Sequence, residues 1–408
     1  MFWFIHCRAM IEKNKASKNR RPRIGVDFHT WDGIFQGSRS HILGLYREAI
    51  GLAPDMDFVF FLENTASLRA SHPEFSAPNV ELVPMPHRPA LWRLAAQLPW
   101  LRRKHRIDLL HVQYRLPFFR FGDFAVTIHD VLFETYPQFF PASFVWQSKL
   151  TFRHAARNAQ LLFSVSEFSK QDIARLYGIE PCRIQVTYNG VDTQRFHPTS
   201  QPDPRLDSMG LPHRGYLLTV GRLEPRKNHE TLIQAYAQLP LNAPPLVIVG
   251  QRDFSYQPIF QRIQACGLEK RVRLLENVGD DVLPVLMRHA RLFVYPAFAE
   301  GFGMPVAEAM ASGVPVITSN TTSLPEVAGK AALYANPNDP AELARMIQRA
   351  LFDGSLRQDM AAKGVERAST FSWPSSAKVL INAFRQRNYE EQGALPRPQG
   401  HLTDDTRV

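Results

Sequence analysis

The stretch Glu300-Gly301-Phe302-Gly303-Met304-Pro305-Val306-Ala307-Glu308 decides how this chain is read. It sets two carboxylates eight residues apart around a turn that opens a helix. Gly301 and Gly303 lack a Cβ, so the backbone can bend tightly there and bring its amides close to a ligand. Pro305 suits the first helical position, where the N–H it lacks would have no intrahelical partner. Free amides at a helix start, with the positive end of the dipole, favour an anion such as phosphate. Glu308 then falls in the first or second turn, placed to accept hydrogen bonds from hydroxyls of the same ligand. A hydroxyl acceptor beside a phosphate cradle fits a sugar nucleotide. Taken alone, the segment reads equally as an ordinary loop and helix start with two exposed glutamates.

A second segment supports the first. Leu217-Leu218-Thr219-Val220-Gly221-Arg222-Leu223-Glu224-Pro225-Arg226-Lys227-Asn228 is an apolar strand running into a basic loop. Cations at the carboxyl end of a strand are where an α/β sheet receives a diphosphate. Arginine offers a bidentate fork there and lysine a point charge.

Together G-R-L-E-P-R-K-N and E-G-F-G-M-P-V-A-E resemble the retaining glycosyltransferases of family 4. Other stretches look similar in the same order: Thr127-Ile128-His129-Asp130, Ser166-Glu167-Phe168-Ser169-Lys170, Tyr188-Asn189-Gly190-Val191-Asp192 and Ser323-Leu324-Pro325-Glu326-Val327-Ala328-Gly329. The resemblance runs from about Arg23 to about Arg385. It implies the α/β GT-B fold, with two Rossmann-like domains facing a deep cleft and a C-terminal helix crossing back to the first domain.

By that resemblance Arg222 and Lys227 neutralise the leaving diphosphate, and Glu308 accepts hydroxyls of the nucleotide ribose. Glu300 contacts hydroxyls of the transferred hexose, while Gly301, Phe302 and Gly303 complete the cradle with their amides. His129 faces the donor sugar across the cleft and bonds it and its leaving-group oxygen. Read on its own, a histidine at a strand end is more often a structural hydrogen-bonding group. Asp130 holds its loop or orients His129. Gly37 and Ser38 resemble the loop that closes near donor and acceptor, although Arg39 stands where a small residue is often found.

No cofactor is expected. Cations and amides meet the charge that develops on the diphosphate, and the sequence shows no paired-aspartate clamp, so no divalent metal is expected to be required. Retention without an evident nucleophile implies front-face attack, the leaving phosphate helping to deprotonate the acceptor. The motif combination is closest to bacterial mannosyltransferases, which makes GDP-mannose the first donor and a UDP-hexose the second. The expected acceptor is a glycan or a polyprenyl-linked glycan of bacterial cell-surface polysaccharide synthesis. A catalytically silent nucleotide-sugar-binding protein, or a glucan synthase or phosphorylase with a soluble acceptor, remains the alternative.

The 408 residues suggest two domains, and 45% hydrophobic with 21% charged residues is ordinary for a globular protein. No apolar run approaches the roughly 20 residues that span a bilayer. Met1 to Ile5 is too short for a signal peptide and precedes its basic region. Cys7, Cys182 and Cys266 are few and far apart, which fits a reducing, cytoplasmic setting and no metal site. The net charge of +10 is uneven: residues 1–195 carry a surplus of 8 cations and the remainder only 2. Leu91–Arg106 combines Trp92 and Trp100 with five cations. It reads as a surface helix broken near Pro99 or as a patch for an anionic membrane.

Other functions fit less well. Val306 stands where a dinucleotide fingerprint needs its third glycine, and Walker A, H-E-x-x-H and G-x-S-x-G are missing from the sequence. A nucleic-acid partner would explain the charge but not the two glutamates.

Along the chain, residues 1–22 read as a basic tail, 23–193 as an acceptor domain and 194–212 as a proline-rich linker. Residues 213–374 read as the nucleotide-sugar domain, 375–388 as a crossover helix and 389–408 as a polar tail. Expected strands are Ile24–Phe28, Phe58–Leu62, Val80–Val83, Leu109–Val112, Phe124–Ile128, Leu161–Val165 and Ile184–Tyr188. The second series is Leu217–Val220, Leu246–Val249, Val272–Leu275, Leu292–Tyr295, Val316–Thr318 and Ala332–Tyr334. Helices are expected at His41–Leu52, Ala142–Ala156, Ser169–Tyr177, His229–Gln238, Pro258–Cys266, Leu283–His289, Ala341–Phe352 and Ser376–Arg385.

Overall fold

Short runs of Val, Ile, Leu and Phe without polar alternation make strands buried on both faces, and such strands assemble as parallel sheets covered by helices. The computed structural model of the chain describes residues 20–33, 37–119 and 121–391. Within them the expected tail 1–22 is represented only by residues 20–22, and the expected tail 389–408 only up to 391.

The first sheet contains β1 (Arg23–Asp27), β2 (Asp57–Leu62), β3 (Val80–Pro84), β4 (Leu109–Gln113), β5 (Asp123–Thr127), β6 (Leu161–Ser164) and β7 (Ile184–Val186), in the order β3-β2-β1-β4-β5-β6-β7. The second contains β8 (Leu217–Val220), β9 (Leu246–Val249), β10 (Val272–Leu275), β11 (Leu292–Tyr295), β12 (Val316–Ser319) and β13 (Ala332–Ala335), in the order β10-β9-β8-β11-β12-β13. Every recorded pairing is parallel, as in Ile24 with Phe58 and Leu109. Both orders are doubly wound, and each reverses beside its first strand, which opens a crevice at the carboxyl edge.

Helices α1 (Gly37–Leu52), α2 (Ala142–Asn158), α3 (Glu167–Tyr177), α4 (Met304–Ala311), α5 (Gly354–Ser369) and α6 (Trp373–Glu391) matter most for the site. α1 starts four residues before the expected His41, so Gly37 and Ser38 open a helix rather than lie in a loop. α5 was not expected. Its sequence alternates small and charged residues, and only Met360, Gly364 and Ala368 are buried.

Residues 194–212, read as a linker, pack on the second domain. Phe196, Leu206 and Leu211 join its core beside Tyr216 and Phe293, and Arg273 donates to Gly210 O at 3.0 Å and Met209 O at 2.6 Å. The chain crosses between domains earlier, around Tyr188–Val191, where the return crossing lies alongside. Val191 N–H donates to Phe371 O at 3.0 Å and Ser376 Oγ to Tyr188 O at 2.6 Å. α6 then lies back on the first domain: Ala377, Leu380, Ile381 and Phe384 enter the core with Leu45 and Tyr46, and Arg385 pairs with Asp55 at 2.7 Å.

Leu91–Arg106 is not broken at Pro99. A wide π-turn at Arg93–Gln97 joins two α-helical segments, and Pro99 sits in the first turn of the second one. The wider turn relieves the clash a proline ring makes in a regular helix. No helix among the described residues is long and apolar enough to cross a membrane.

Trp373 seals the double crossing. A Cβ on Gly190 would stand 2.5 Å from Trp373 N and 2.6 Å from its ring. Gly190→Ala is therefore expected to destabilise the protein by about 1–3 kcal/mol, the usual cost of overpacking. A thermal midpoint equal to that of the wild type would contradict this packing.

Candidate functional site

The loops after β8 and β11 leave the second sheet where its strand order reverses. Asn228 joins them, its Nδ2 donating to Pro296 O at 2.8 Å and Pro337 O at 2.7 Å. Its own φ of 60° is left-handed, which asparagine tolerates better than most residues.

Glu300 sits between these loops, only 8% exposed. Its Oε1 accepts from Lys227 Nζ, from the Tyr295 hydroxyl at 2.8 Å and from Arg226 at 3.1 Å, and Oε2 takes none of these bonds. Burial pushes its pKa upward, but Arg226 and Lys227 outweigh that and hold it at about 2. Lys227 is pushed below the usual lysine range by burial and the adjoining Arg226, with Glu300 opposing. Arg226 is buried too, yet Glu300 and Glu224, the latter at 2.7 Å, keep it firmly charged. Backbone bonds fix the carboxylate's stem: Glu300 N–H donates to Thr322 Oγ1 at 3.0 Å, and Ser323 Oγ donates to Glu300 O at 2.8 Å.

Gly303 has φ of 100° and precedes the first residue of α4, a conformation that favours glycine. Pro305 is therefore the second helical residue, one later than the spacing suggests. The Phe302 side chain is in the core against Phe371 at 5.3 Å, so only its backbone can meet a ligand. Glu308 lies one turn into α4. Burial pushes its pKa up to about 8, with Arg195 opposing and Asp280 and Asp192 reinforcing the rise. Arg222 reaches outward and pairs with Asp253 at 2.6 Å.

The first domain supplies the opposite wall. His129 follows β5 and its Nε2 meets Gln113 Oε1 at 3.0 Å. That oxygen only accepts, so Nε2 carries the proton and Nδ1 is the accepting nitrogen. Burial, with His41 and His111 nearby, keeps His129 neutral. Gln113, not Asp130, orients the ring. Asp130 instead holds its own loop, accepting from Leu132 N–H at 3.2 Å.

The two walls meet at Gly301. A Cβ there would stand 2.6 Å from Asp130 Oδ2. Ser166 Oγ and Ser169 Oγ donate to Gly301 O at 2.6 and 3.1 Å. Glu326 accepts from the Glu167 and Phe168 amides, both at 2.8 Å, and so caps α3 from the other domain. A carboxylate at a helix start is favoured by both hydrogen bonding and the dipole.

Gly37, Ser38, His129, Arg222, Lys227, Glu300, Gly301, Phe302, Gly303 and Glu308 all line one interdomain cleft of about 480 Å³. The sequence motifs do not single out Arg226, Tyr295, Gln113 or the interdomain role of Glu326. Arg226 was visible only as one more cation in the basic loop, and Gln113 carries no motif.

The first domain also exposes an apolar face. Leu91, Trp92, Trp100, Phe118, Phe119, Phe144, Trp146 and Leu150 make up eight of the twelve large exposed hydrophobics among the described residues. They belong to segments covering the same face of the first sheet, since Leu98, Leu101, Phe152 and Ala155 share one core beneath them. Of the five cations in Leu91–Arg106, Arg93 turns inward to Asp27 at 3.4 Å. Arg102 donates to Asp123 O and Asp108 O, both at 2.7 Å. Arg103, Lys104 and Arg106 are exposed.

The pKa of Glu308 sets a pH signature. A carboxyl raised in the fold keeps its proton while the unfolded chain releases one, so stability falls as pH rises from about 4.5 and levels off above about 8. Glu308→Gln removes this loss. Its thermal midpoint is expected to gain on the wild type between pH 5 and pH 8, and parallel pH curves for the two proteins would contradict the assignment.

Comparison with known proteins agrees in both halves. Residues 35–195 match the glycosyltransferase family 4 domain, and residues 211–367 match glycosyl transferases group 1. The O-antigen chain mannosyltransferase B of Escherichia coli is 37% identical over 292 residues, covering 70% of this chain and 76% of that protein. The serotype-specific mannosyltransferase WbdA of Escherichia coli is 30% identical over 55% of this chain and 29% of its own length. Among solved structures, sucrose-phosphate synthase from Thermosynechococcus elongatus superposes with a TM-score of 0.73 at 21% identity, over 90% of this chain and 99% of that one.

Proposed function

The chain belongs to the group 1 glycosyltransferases of family 4, and from that premise we propose that it moves a hexose, mannose first, from a nucleotide sugar to a glycan or polyprenyl-linked acceptor with retention of anomeric configuration. The observation that carries this reading is the convergence of ten motif residues from both domains on one cleft. The similarity to two mannosyltransferases supports mannose, hence GDP-mannose as donor ahead of a UDP-hexose.

In this scheme the diphosphate lies against Arg222, Lys227 and the amides at Gly301–Gly303. Lys227 already holds Glu300 and Arg222 already holds Asp253, so donor binding exchanges these partners for phosphate oxygens. Glu308 receives the ribose hydroxyls, and Oε2 of Glu300 receives hexose hydroxyls. His129 accepts a sugar hydroxyl through Nδ1. With its proton engaged by Gln113, it is an acceptor rather than a donor to the leaving-group oxygen. Front-face attack then needs no protein nucleophile, and closure of the clasp at Gly301 keeps water out. We assign no required divalent ion, because cations and amides meet the charge of the leaving group.

A thermal-shift screen of nucleoside diphosphates and their sugars tests the donor. Stabilisation by GDP and GDP-mannose alone supports the reading, through preferential binding to the folded state. Stabilisation by uridine nucleotides alone moves the donor to a UDP-hexose, and no shift with either overturns the site.

Arg222→Ala and Lys227→Ala are each expected to lower activity roughly ten- to a hundredfold, the worth of a charge-assisted contact of about 1.5–3 kcal/mol. Lys227→Ala leaves Glu300 paired with Arg226 and removes a like charge from beside it, so the fold should persist. Normal turnover in both variants contradicts the diphosphate assignment. Wild-type activity should survive EDTA, and loss restored only by Mg²⁺ or Mn²⁺ would refute metal independence.

The exposed aromatic face with Arg103, Lys104 and Arg106 supports peripheral attachment to the cytoplasmic side of an anionic membrane, where a lipid-linked acceptor would be found. Each such cation contributes about 1 kcal/mol at the surface, screened by salt. Replacing these three by glutamine, while sparing the structural Arg102, should release the protein from anionic vesicles and leave nucleotide binding intact. If wild-type protein ignores such vesicles at low salt, the acceptor is soluble.

A further inference from the structure

At the amino edge of the second sheet, away from the cleft, four arginines line a cavity of about 260 Å³: Arg214, Arg288, Arg291 and Arg357. Arg214 comes shortly before β8, Arg291 directly before β11, and Arg357 in the first turn of α5. No aspartate or glutamate lines this cavity. The chain beyond residue 195 has a surplus of only 2 cations overall, so four in one cavity is a local concentration.

Three of them donate to neutral backbone carbonyls and form no ion pair among the described residues. Arg214 reaches Thr199 O at 3.1 Å, Arg288 reaches Pro284 O at 3.1 Å and Arg195 O at 2.6 Å, and Arg357 reaches Ala350 O and Leu351 O at 2.7 Å. Arg291 differs. Its Nε is sealed from solvent without a hydrogen-bond partner, and its guanidinium has no ion pair among the described residues. A buried donor left unmade is costly, and at Arg357 burial first and then the neighbouring Arg291 disfavour the charge, with Asp353 opposing. The nearby acids are engaged elsewhere and lie outside the cavity lining: Asp353 caps α5 by accepting from Leu356 N–H at 2.9 Å, and Asp203, which favours the charge of Arg288, pairs with Arg205 at 2.7 Å.

We propose that this cavity is a binding site for a multiply charged phosphate group, separate from the donor cleft. Guanidinium forks match phosphate oxygens two at a time. A diphosphate would offset the charge of Arg291, which has no ion pair among the described residues, and relieve its repulsion with Arg357. Because Arg214 and Arg288 also hold carbonyls of residues 194–212, which pack on the second domain, the bound anion competes for groups that anchor that segment. The inference does not depend on which sugar the enzyme transfers.

Inorganic pyrophosphate is the probe, titrated calorimetrically into the full chain carrying Arg222→Ala and Lys227→Ala, so that binding in the donor cleft is suppressed. This protein is expected to bind pyrophosphate. Adding Arg291→Gln should weaken that binding roughly tenfold or more, the loss of one charge-assisted contact, with an anion-free thermal midpoint no lower than before. Arg214→Gln, at an exposed position, should weaken it in the same direction and guards against a packing effect at Arg291. Equal affinity with and without these arginines overturns the site, as does failure of the cleft variant to bind pyrophosphate at millimolar concentration. Binding of an acidic peptide in place of pyrophosphate also overturns it.

Discussion

A buried carboxylate is tolerable only when its charge and its lone pairs are met, and Glu300 imposes that requirement on the whole second domain. Its Oε1 takes donors from β11 through Tyr295 and from the loop after β8 through Arg226 and Lys227. Those loops can reach it only if β8 and β11 are neighbours in the sheet, which is where the strand order reverses. Removing either cation would leave the other to balance Glu300, and removing Glu300 would leave Arg226 and Lys227 repelling each other out of water. The same network prepares the site. It keeps a carboxylate ionised at a place where burial alone would neutralise it, and it stores two cations where an anion can recruit them.

The first domain is fitted to this arrangement largely by side chains of one domain meeting the backbone of the other. Gly301 O receives two serine hydroxyls from the other domain, and the α3 amides are met by Glu326 from the other side. With Ser166 Oγ also accepting from Ser169 N–H at 3.0 Å, the first three amides of α3 are satisfied. Thus Ser166–Lys170 and Ser323–Gly329, which look like two separate motifs along the chain, are two halves of one clasp. Their proximity to Glu300 is what couples closure to the site: Ser323 bonds Glu300 O while its neighbour Glu326 holds the opposite domain.

Most strands were legible because burial on both faces writes an uninterrupted apolar run, and ends at Gly, Pro or charge mark where each stops. Leu217–Val220, Leu246–Val249, Val272–Leu275 and Leu292–Tyr295 needed no adjustment. α5 was hidden because a helix that packs through Gly364 and Ala368 needs small residues, and these leave no hydrophobic stripe. A Cβ at Gly364 would touch Met310 at 3.4 Å, so close approach to α4 replaces bulk there. The prolines of residues 194–212 suggested a linker, and nothing local revealed that Phe196, Leu206 and Leu211 find a core elsewhere. The motif residues of the site were readable because their spacing is local. Their partners, such as Gln113 for His129 and Arg226 for Glu300, are set by which loops the sheets bring together.

The position of His129 shows how much such non-local packing decides. Its ring lies 5.0 Å from Tyr114 and 4.9 Å from His41. Tyr114 stacks on Phe152 of α2, at 5.5 Å, and His41 meets Trp373 at 5.9 Å, at the start of α6. His41 is further held by Asn189 Oδ1 at 2.8 Å from Nδ1. Each ring is closely packed, so moving His129 by an ångström would require α2, the domain crossing at Asn189 and the returning helix to shift with it. These contacts are packing and do not by themselves demonstrate energetic coupling between distant sites. They do explain why a neutral, buried histidine can serve as a fixed acceptor. Its orientation is set by Gln113, and its location by elements from both crossings, before any sugar arrives.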